Sequence, residues 1–404
     1  MAKNKRGASG LSCLIGVNKP VNYTSHDVVN RCRRAFGERR VGHGGTLDPF
    51  ATGVLPVMVG PATRLAQYFE NCKKEYVAEI CFGAATSTDD LTGEVLETCD
   101  VPEKLADETY AREVLEAFKG EQKQLPPQYS AIKVDGVRAY SLARKGQDVE
   151  LAARDIVVYE AELLAIKPCE LQASQNAGVF EDSFKGDSNL SEKDGFQLGA
   201  KSSAEVNPSA NTDADSAVIN ACHNLSWTVR FVVGSGTYIR SLARDIGESV
   251  QCCAHLSSLK RIFVGGITFD SSINMEEIEA EIERKQSLAG EQFQESACAP
   301  GAPLLPACAK VLDPCKVLPY KTYLATEDDL KFIANGGAIP CDEARTFECV
   351  DGVLAPTKKL LTHGELLFIV QPEKVLGIYS WSEEAQLLKA DTIFGTGVTR
   401  CLVQ

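Results

Sequence analysis

The chain has 404 residues, of which 44% are hydrophobic, enough for two domains and a sizeable core. No apolar run is long enough to span a bilayer, and the N-terminal MAKNKRGASGLSCLIGV lacks the apolar h-region of a secretory signal, so a cytoplasmic protein with no membrane partner is expected. The net charge of −13 argues against a nucleic-acid partner unless the charge is segregated, and it is.

Residues 1–70 carry ten lysines and arginines against four acids, whereas 170–222 carry nine acids against three lysines. Residues 276–295 add seven acids against two bases. The basic excess therefore lies at the start of the chain. The fifteen cysteines are scattered, and no C-x-x-C pairs with another, which argues against both a zinc site and a disulfide framework. They are expected to be reduced and to pack as small hydrophobes.

In chain order, Asp27 to Phe36 has helical spacing, with Val28, Val29 and Cys32 on one face and Ser25 or Asp27 available as a cap. A run of glycines and small polar residues follows, Arg40-Val41-Gly42-His43-Gly44-Gly45-Thr46-Leu47-Asp48-Pro49-Phe50-Ala51-Thr52-Gly53. Such residues do not build a helix interior; they suit a rigid loop that brings backbone close to a ligand. On composition alone the simpler reading of Asp48 is a turn cap. Lys74 to Phe82 alternates as a half-buried strand, Glu103 to Phe118 reads as an amphipathic helix ending at Gly120, and Ile156 to Ile166 reads as a strand.

Gln172 to Ala221 is rich in Ser, Asn, Asp, Gly and Ala and too poor in large apolar residues to offset its ordering entropy, so a disordered insertion is expected there. Trp227 to Val233 resumes a strand, and Tyr238 to Glu248 is helical in pattern. Residues 284–308 have a linker-like composition. Beyond Leu318, His363 to Val370 and Lys374 to Tyr379 read as two strands of a small terminal domain.

The glycine-rich run resembles the G-H-x-G-T-L-D-P signature of the TruB family of tRNA pseudouridine synthases. Further blocks agree in order: Asn18-Lys19-Pro20, Thr24-Ser25-His26, Gly60-Pro61-Ala62-Thr63-Arg64, Lys74-Glu75-Tyr76 and Thr86 to Gly93. Gln124 to Lys133 and Gly234 to Leu242 continue the series. The resemblance covers residues 12–170 and 224–275, with a weaker match near the C-terminus. It departs at Lys260 and Ile262, where the family carries an arginine and a polar residue.

The resemblance implies an α+β fold, a central mixed, largely antiparallel sheet flanked by helices, with a small PUA-like β-barrel at the C-terminus. It divides the chain into a catalytic domain over 1–305, interrupted at 172–221, and an RNA-binding domain over 312–404. It implies an isomerase that turns the T-loop uridine of tRNA, conventionally numbered 55, into pseudouridine after flipping it from the stack. The alternatives are a guide-RNA-dependent synthase and a non-catalytic tRNA-binding or folding protein on the same scaffold.

By the same resemblance Asp48 is the catalytic carboxylate, Arg240 its charge partner and Tyr76 the residue against the uracil ring. His43 fills the space the base leaves, Tyr238 walls the pocket, and Leu259 packs on the base. Lys19, Arg40, Arg64 and Lys133 are candidate phosphate contacts. Neither cofactor nor metal is required, because the reaction involves no redox step and no phosphate-bond energy. The tRNA T-arm is the expected partner, and the enzyme is expected to act as a monomer without a protein partner.

Overall fold

The computed structural model describes residues 10–129, 133–134, 137–138, 151–168, 225–291, 310–350, 353–357 and 359–400. The expected insertion at 172–221 lies outside the described residues.

Strand β1 (Cys13–Lys19) leads through α1 (Ser25–Phe36) to β2 (Val41–His43) and β3 (Thr52–Val59). A 3₁₀ turn (Gly60–Leu65) and a single turn α2 (Ala66–Phe69) precede β4 (Lys74–Phe82). Next come the hairpin strands β5 (Ala84–Thr86) and β6 (Val95–Thr98), then α3 (Glu108–Ala117) and β7 (Gly120–Gln124). A second small hairpin, β8 (Lys133–Val134) with β9 (Val137–Arg138), is followed by the long β10 (Arg154–Pro168). The unit closes with β11 (Leu225–Val233), α4 (Ile239–Ser249), β12 (Ala254–Val264), β13 (Ile267–Thr268), β14 (Ile273–Asn274) and α5 (Met275–Glu291).

Ten of these strands form one sheet in the order β14-β1-β3-β12-β4-β11-β10-β7, with β2 on β3 and β13 on β12. Pairing is antiparallel except at β1–β14 and β3–β12. This is the expected mixed, largely antiparallel sheet. The parallel step matters most. It puts the start of β3, where the glycine-rich loop ends, beside Lys260 and Arg261 of β12. Across β12, Arg261 faces Tyr76 of β4.

Several local expectations are corrected. α1 is capped by Thr24, in a reciprocal capping box with Asp27, so neither Ser25 nor Asp27 is the cap. Ser25 points instead to the glycine-rich loop, where its Oγ accepts from Leu47 N–H at 2.9 Å and donates to the Leu47 carbonyl at 3.1 Å. The helix from Glu103 breaks in two, a 3₁₀ turn over Glu103–Ala106 and then α3, because Asp107 caps the second piece through Thr109 and Tyr110 N–H. Residues 284–291 are not linker but the end of α5. Its apolar Ile278 and Ile282 are buried in the cluster that also holds Val28, Val29 and Cys32 of α1.

Beyond α6 (Pro314–Val317) lies a second sheet, built from β15 (Lys321–Leu324), β16 (Ile339–Pro340), β17 (Thr346–Val350), β18 (Val353–Pro356), β19 (Leu366–Gln371), β20 (Lys374–Ser382) and β21 (Leu387–Thr399), with α7 (Glu327–Ile333) after β15. Its order is β16-β21-β20-β19-β15-β17-β18. Among the described residues β16 and β18 do not pair, so the sheet is an open half-barrel rather than the closed barrel expected. The two strands expected in this region are β19 and β20.

The two sheets share an apolar cluster. Leu14, Val54, Met58 and Phe69 of the first unit pack with Phe368, Val375 and Phe394 of the second. At the seam the Arg400 guanidinium donates to both carboxylate oxygens of Asp313, with side chains 5% and 1% exposed. A buried pair of this kind is costly to break, since one charge is left without a partner. Arg400→Met is therefore expected to lower stability by about 3–5 kcal/mol in urea denaturation, with both units still unfolding in one transition. A loss below about 1 kcal/mol would show the pair to be dispensable.

Candidate active site

The glycine-rich loop is fixed by side chains from three separate elements. Ser25 of α1 holds both backbone groups of Leu47. Lys19 of β1 donates to the carbonyls of Pro20, Tyr23 and Pro49, at 2.8, 2.7 and 3.2 Å. Asn22 N–H donates to the Pro49 carbonyl at 2.8 Å. From β12, the Arg261 guanidinium donates to the carbonyls of Gly45 and Val54. Leu47 and Phe50 are buried in the main core, which leaves Asp48 between them pointing outward.

The Asp48 side chain is 35% exposed and meets Arg240, whose side chain is only 5% exposed. Asp48 Oδ2 lies 2.9 Å from Arg240 Nε, and Oδ1 accepts from Nη2 at 3.4 Å. The other edge of the guanidinium is fully engaged. Nη1 donates to the Thr88 carbonyl at 2.9 Å and to Asp90 Oδ2 at 3.3 Å, and Nη2 also donates to the Tyr129 carbonyl at 2.9 Å.

Asp90 is itself buried, and its Oδ1 accepts from Thr88 Oγ1, Thr92 N–H and Thr92 Oγ1 at 2.7, 2.9 and 2.6 Å. The result is a carboxylate–guanidinium–carboxylate chain with one acid partly exposed and one in the interior. Burial pushes the Asp48 carboxyl above the usual aspartate range; Arg240 opposes that shift, and the like charge of Asp90 adds to it.

Tyr76, near the start of β4, is 7% exposed and belongs to the same apolar cluster as Leu47, Phe50 and Leu259. Leu259 lies in register with Ala78 on the neighbouring strand. Tyr76 thus packs in the core close under the Asp48 loop. Tyr238 stands at the N-terminus of α4, two residues before Arg240. Its backbone N–H donates to Gln124 Oε1 at 2.8 Å, and its carbonyl accepts from Gln124 Nε2 at 3.0 Å. His43 is half-buried at the end of β2, and burial, then the Arg261 and His26 charges, lower its pKa. At neutral pH it presents an uncharged imidazole face.

The proposed phosphate contacts divide. Arg40 and Arg64 are exposed, and Arg64 Nη1 also donates to the Ile393 carbonyl of the second sheet at 2.5 Å. Lys133 lies in β8, opposite Arg138. Lys19 does not fit that role. It is 1% exposed, its ammonium is spent on three carbonyls, and burial pulls its pKa down to about 8 against the pull of Asp48. It is an anchor of the loop.

Asp90, Ser25, Gln124 and Arg261 were invisible as site residues. Asp90 lies in the Thr86 to Gly93 block that carries the resemblance, but nothing in its spacing points to Arg240, 150 positions away. Among the described residues no group of three or more His, Cys, Asp or Glu could hold a metal ion, and no helix is long and apolar enough to cross a membrane.

The electrostatic chain gives a titration prediction. Asp90→Asn removes a like charge and should lower the Asp48 pKa, whereas Arg240→Met should raise it further. A carbon NMR titration of the Asp48 carboxyl measures both, and shifts of opposite sign would overturn this account. Because the folded-state value is raised, the stability that this group contributes is greatest at low pH and is lost as pH rises through that value.

Two family models match the chain. Residues 33–179 match the family model described as TruB family pseudouridylate synthase, N-terminal domain, and residues 240–315 match the one for the tRNA pseudouridylate synthase B C-terminal domain. The chain is 41% identical over 265 residues to tRNA pseudouridine synthase B of Deinococcus deserti, covering 66% of this chain and 78% of that one. Identity to the Mycobacterium leprae protein of the same name is 38% over 284 residues, covering 70% and 73%.

Among solved structures, an H/ACA RNP bound to a substrate RNA containing 2′-deoxyuridine superimposes with a TM-score of 0.54 at 18% identity, covering 95% of this chain and 84% of that one. A Cbf5-Nop10-Gar1 complex gives 0.53 at 20%, with the same coverage. The two family matches and the extent of identity place this chain in the TruB family of pseudouridylate synthases.

Proposed function

We propose that the chain converts the T-loop uridine of tRNA conventionally numbered 55 to pseudouridine, with Asp48 as the catalytic carboxylate. The observation that carries this reading is the Asp48–Arg240 pair: a partly exposed acid in contact with a buried cation, on a loop that cannot drift. Relatives named tRNA pseudouridine synthase B, 35–41% identical, supply the substrate class. The fold likeness to RNP structures concerns architecture alone. The stand-alone reading is favoured over the guide-RNA-dependent one by the identity to these relatives.

In the reaction the N1–C1′ bond of the nucleotide breaks, a C5–C1′ bond forms, C5 loses a proton and N1 gains one. No atom is gained or lost overall. Asp48 acts at the sugar, either as nucleophile or as base, as carboxylates do at other glycosidic centres. Arg240 keeps a cation against it in a site where burial favours the neutral acid. Tyr76 lies against the uracil and handles the C5 proton. His43, uncharged, stacks where the base has left the helix, and Tyr238 and Leu259 line the pocket. Arg40, Arg64 and Lys133 meet phosphates.

The C-terminal sheet serves as a PUA-like RNA-binding platform, with the catalytic division ending near residue 305 and the platform starting near 312. The enzyme works in the cytoplasm, as a monomer and without a protein partner.

Incubating the purified chain with an unmodified T-arm hairpin tests the proposal. Wild type is expected to form pseudouridine without guide RNA, and Asp48→Asn to bind the hairpin but form none. No product from wild type, or substantial turnover by Asp48→Asn, would refute the assignment. Since ionised Asp48 is required and its pKa is raised, activity should fall on the acid side from a pH above the ordinary aspartate value of about 4. A rate that holds steady down to pH ~4 would exclude this role.

A further inference from the structure

The proposed chemistry gives no task to a buried cation beside the loop, Arg261. Arg261 of β12 is 1% exposed, and its partners among the described residues are backbone carbonyls, not carboxylates. Nε donates to Val54 O at 2.7 Å and Nη2 to Gly45 O at 3.1 Å, with a longer contact of 3.5 Å from Nη1 to Thr46 O. Gly45 and Thr46 open the loop that carries Asp48, and Val54 follows its end.

The backbone of Arg261 grips the same loop from the other side. Arg261 and Gly53 are in register across the parallel step between β3 and β12. Gly53 has φ +101°, and a Cβ there would stand 2.1 Å from the Arg261 carbonyl oxygen. Only glycine permits so close an approach at that φ. One residue thus holds the loop's entrance through its guanidinium and its exit through both guanidinium and main chain.

Burying a guanidinium is costly unless its donors are satisfied, and here the satisfied donors are spent on this one loop. Without them the buried Val54 carbonyl and the partly buried Gly45 carbonyl would lose this partner, and the loop would have to move to find others. A lysine could not do the same work, because a planar fork spans separated acceptors and an ammonium is a single point.

We propose that Arg261 is a positioning residue for the reaction: it clasps the two ends of the Gly45–Val54 loop and so fixes where Asp48 stands against Arg240. Gly53 is the other half of the clasp. The proposal rests on the catalytic reading of Asp48. A misplacement of about 1 Å at such a group costs on the order of 100-fold in rate.

The test compares Arg261→Met, Arg261→Lys, Gly53→Ala and the double variant of Arg261→Met with Gly53→Ala. Turnover of the T-arm hairpin by Arg261→Met and Gly53→Ala should fall roughly 100-fold in kcat, with KM within about threefold of wild type. The double variant should lose little more than the worse single one, because both open the same clasp. Native-state amide exchange, which needs no substrate, should quicken at Leu47 and Ala51 in both variants while β4 stays protected.

Wild-type kcat, multiplying losses in the double variant, or equal loss of protection in β4 would each overturn the proposal. Should Arg261→Met fail to fold, Arg261→Lys decides. It keeps the charge, and a folded protein with at least tenfold lower kcat is expected; full activity, or failure of this variant also to fold, refutes positioning. If wild type does not act on the hairpin, the functional reading fails and the exchange result alone still judges the clasp.

Discussion

The site depends on one guanidinium held between two carboxylates. Arg240 is buried, and a buried cation is tolerable only when its donors are met. Asp90 and the carbonyls of Thr88 and Tyr129 take Nη1 and Nη2 donors from within the protein, which leaves the Nε edge for the partly exposed Asp48. Asp90 is in turn saturated by Thr88 and Thr92, so it cannot swing away. Asp48 therefore faces a cation whose place is set from behind. Two tendencies compete at Asp48. Burial and the Asp90 charge favour the protonated acid, and Arg240 favours the ionised one.

The second requirement is a loop that does not move. Its backbone groups are distributed among Lys19, Ser25 and Arg261, which come from β1, α1 and β12. β1 and α1 are consecutive in the chain, whereas β12 is distant in sequence and reaches the loop only in space. The parallel β3–β12 step brings them together, and the antiparallel β12–β4 pair then adds Tyr76 and Leu259 beneath the loop. A mixed sheet is what allows a single loop to be reached from both neighbours.

Charge is also sorted by burial. The N-terminal basic excess does not act as one patch: Lys19 is an internal anchor, Arg31 pairs with Glu279, and Arg64 touches the second sheet, while Arg40 remains outside. The two sheets share an apolar cluster and the buried Asp313–Arg400 pair. The C-terminal half-barrel is thus packed onto the catalytic unit.

By itself the sequence determined what is local. Alternation gave β4 its full span, helical spacing gave α1 and α4 to within two residues of their bounds, and the glycine-rich run announced a rigid loop around Asp48. Motif identity marked Asp48, Tyr76, Arg240 and His43. What it could not contain was any pairing that depends on chain crossings. Asp90 with Arg240, Arg261 with Gly45 and Val54, and Lys19 with Pro49 join residues up to 216 positions apart. A lysine in a basic stretch reads as a phosphate contact until the fold turns it inward, and Ser25 reads as a helix cap until Leu47 arrives beside it. Side-chain type limits which partners are possible; sheet register and burial decide which are in reach, and only the tertiary structure sets those.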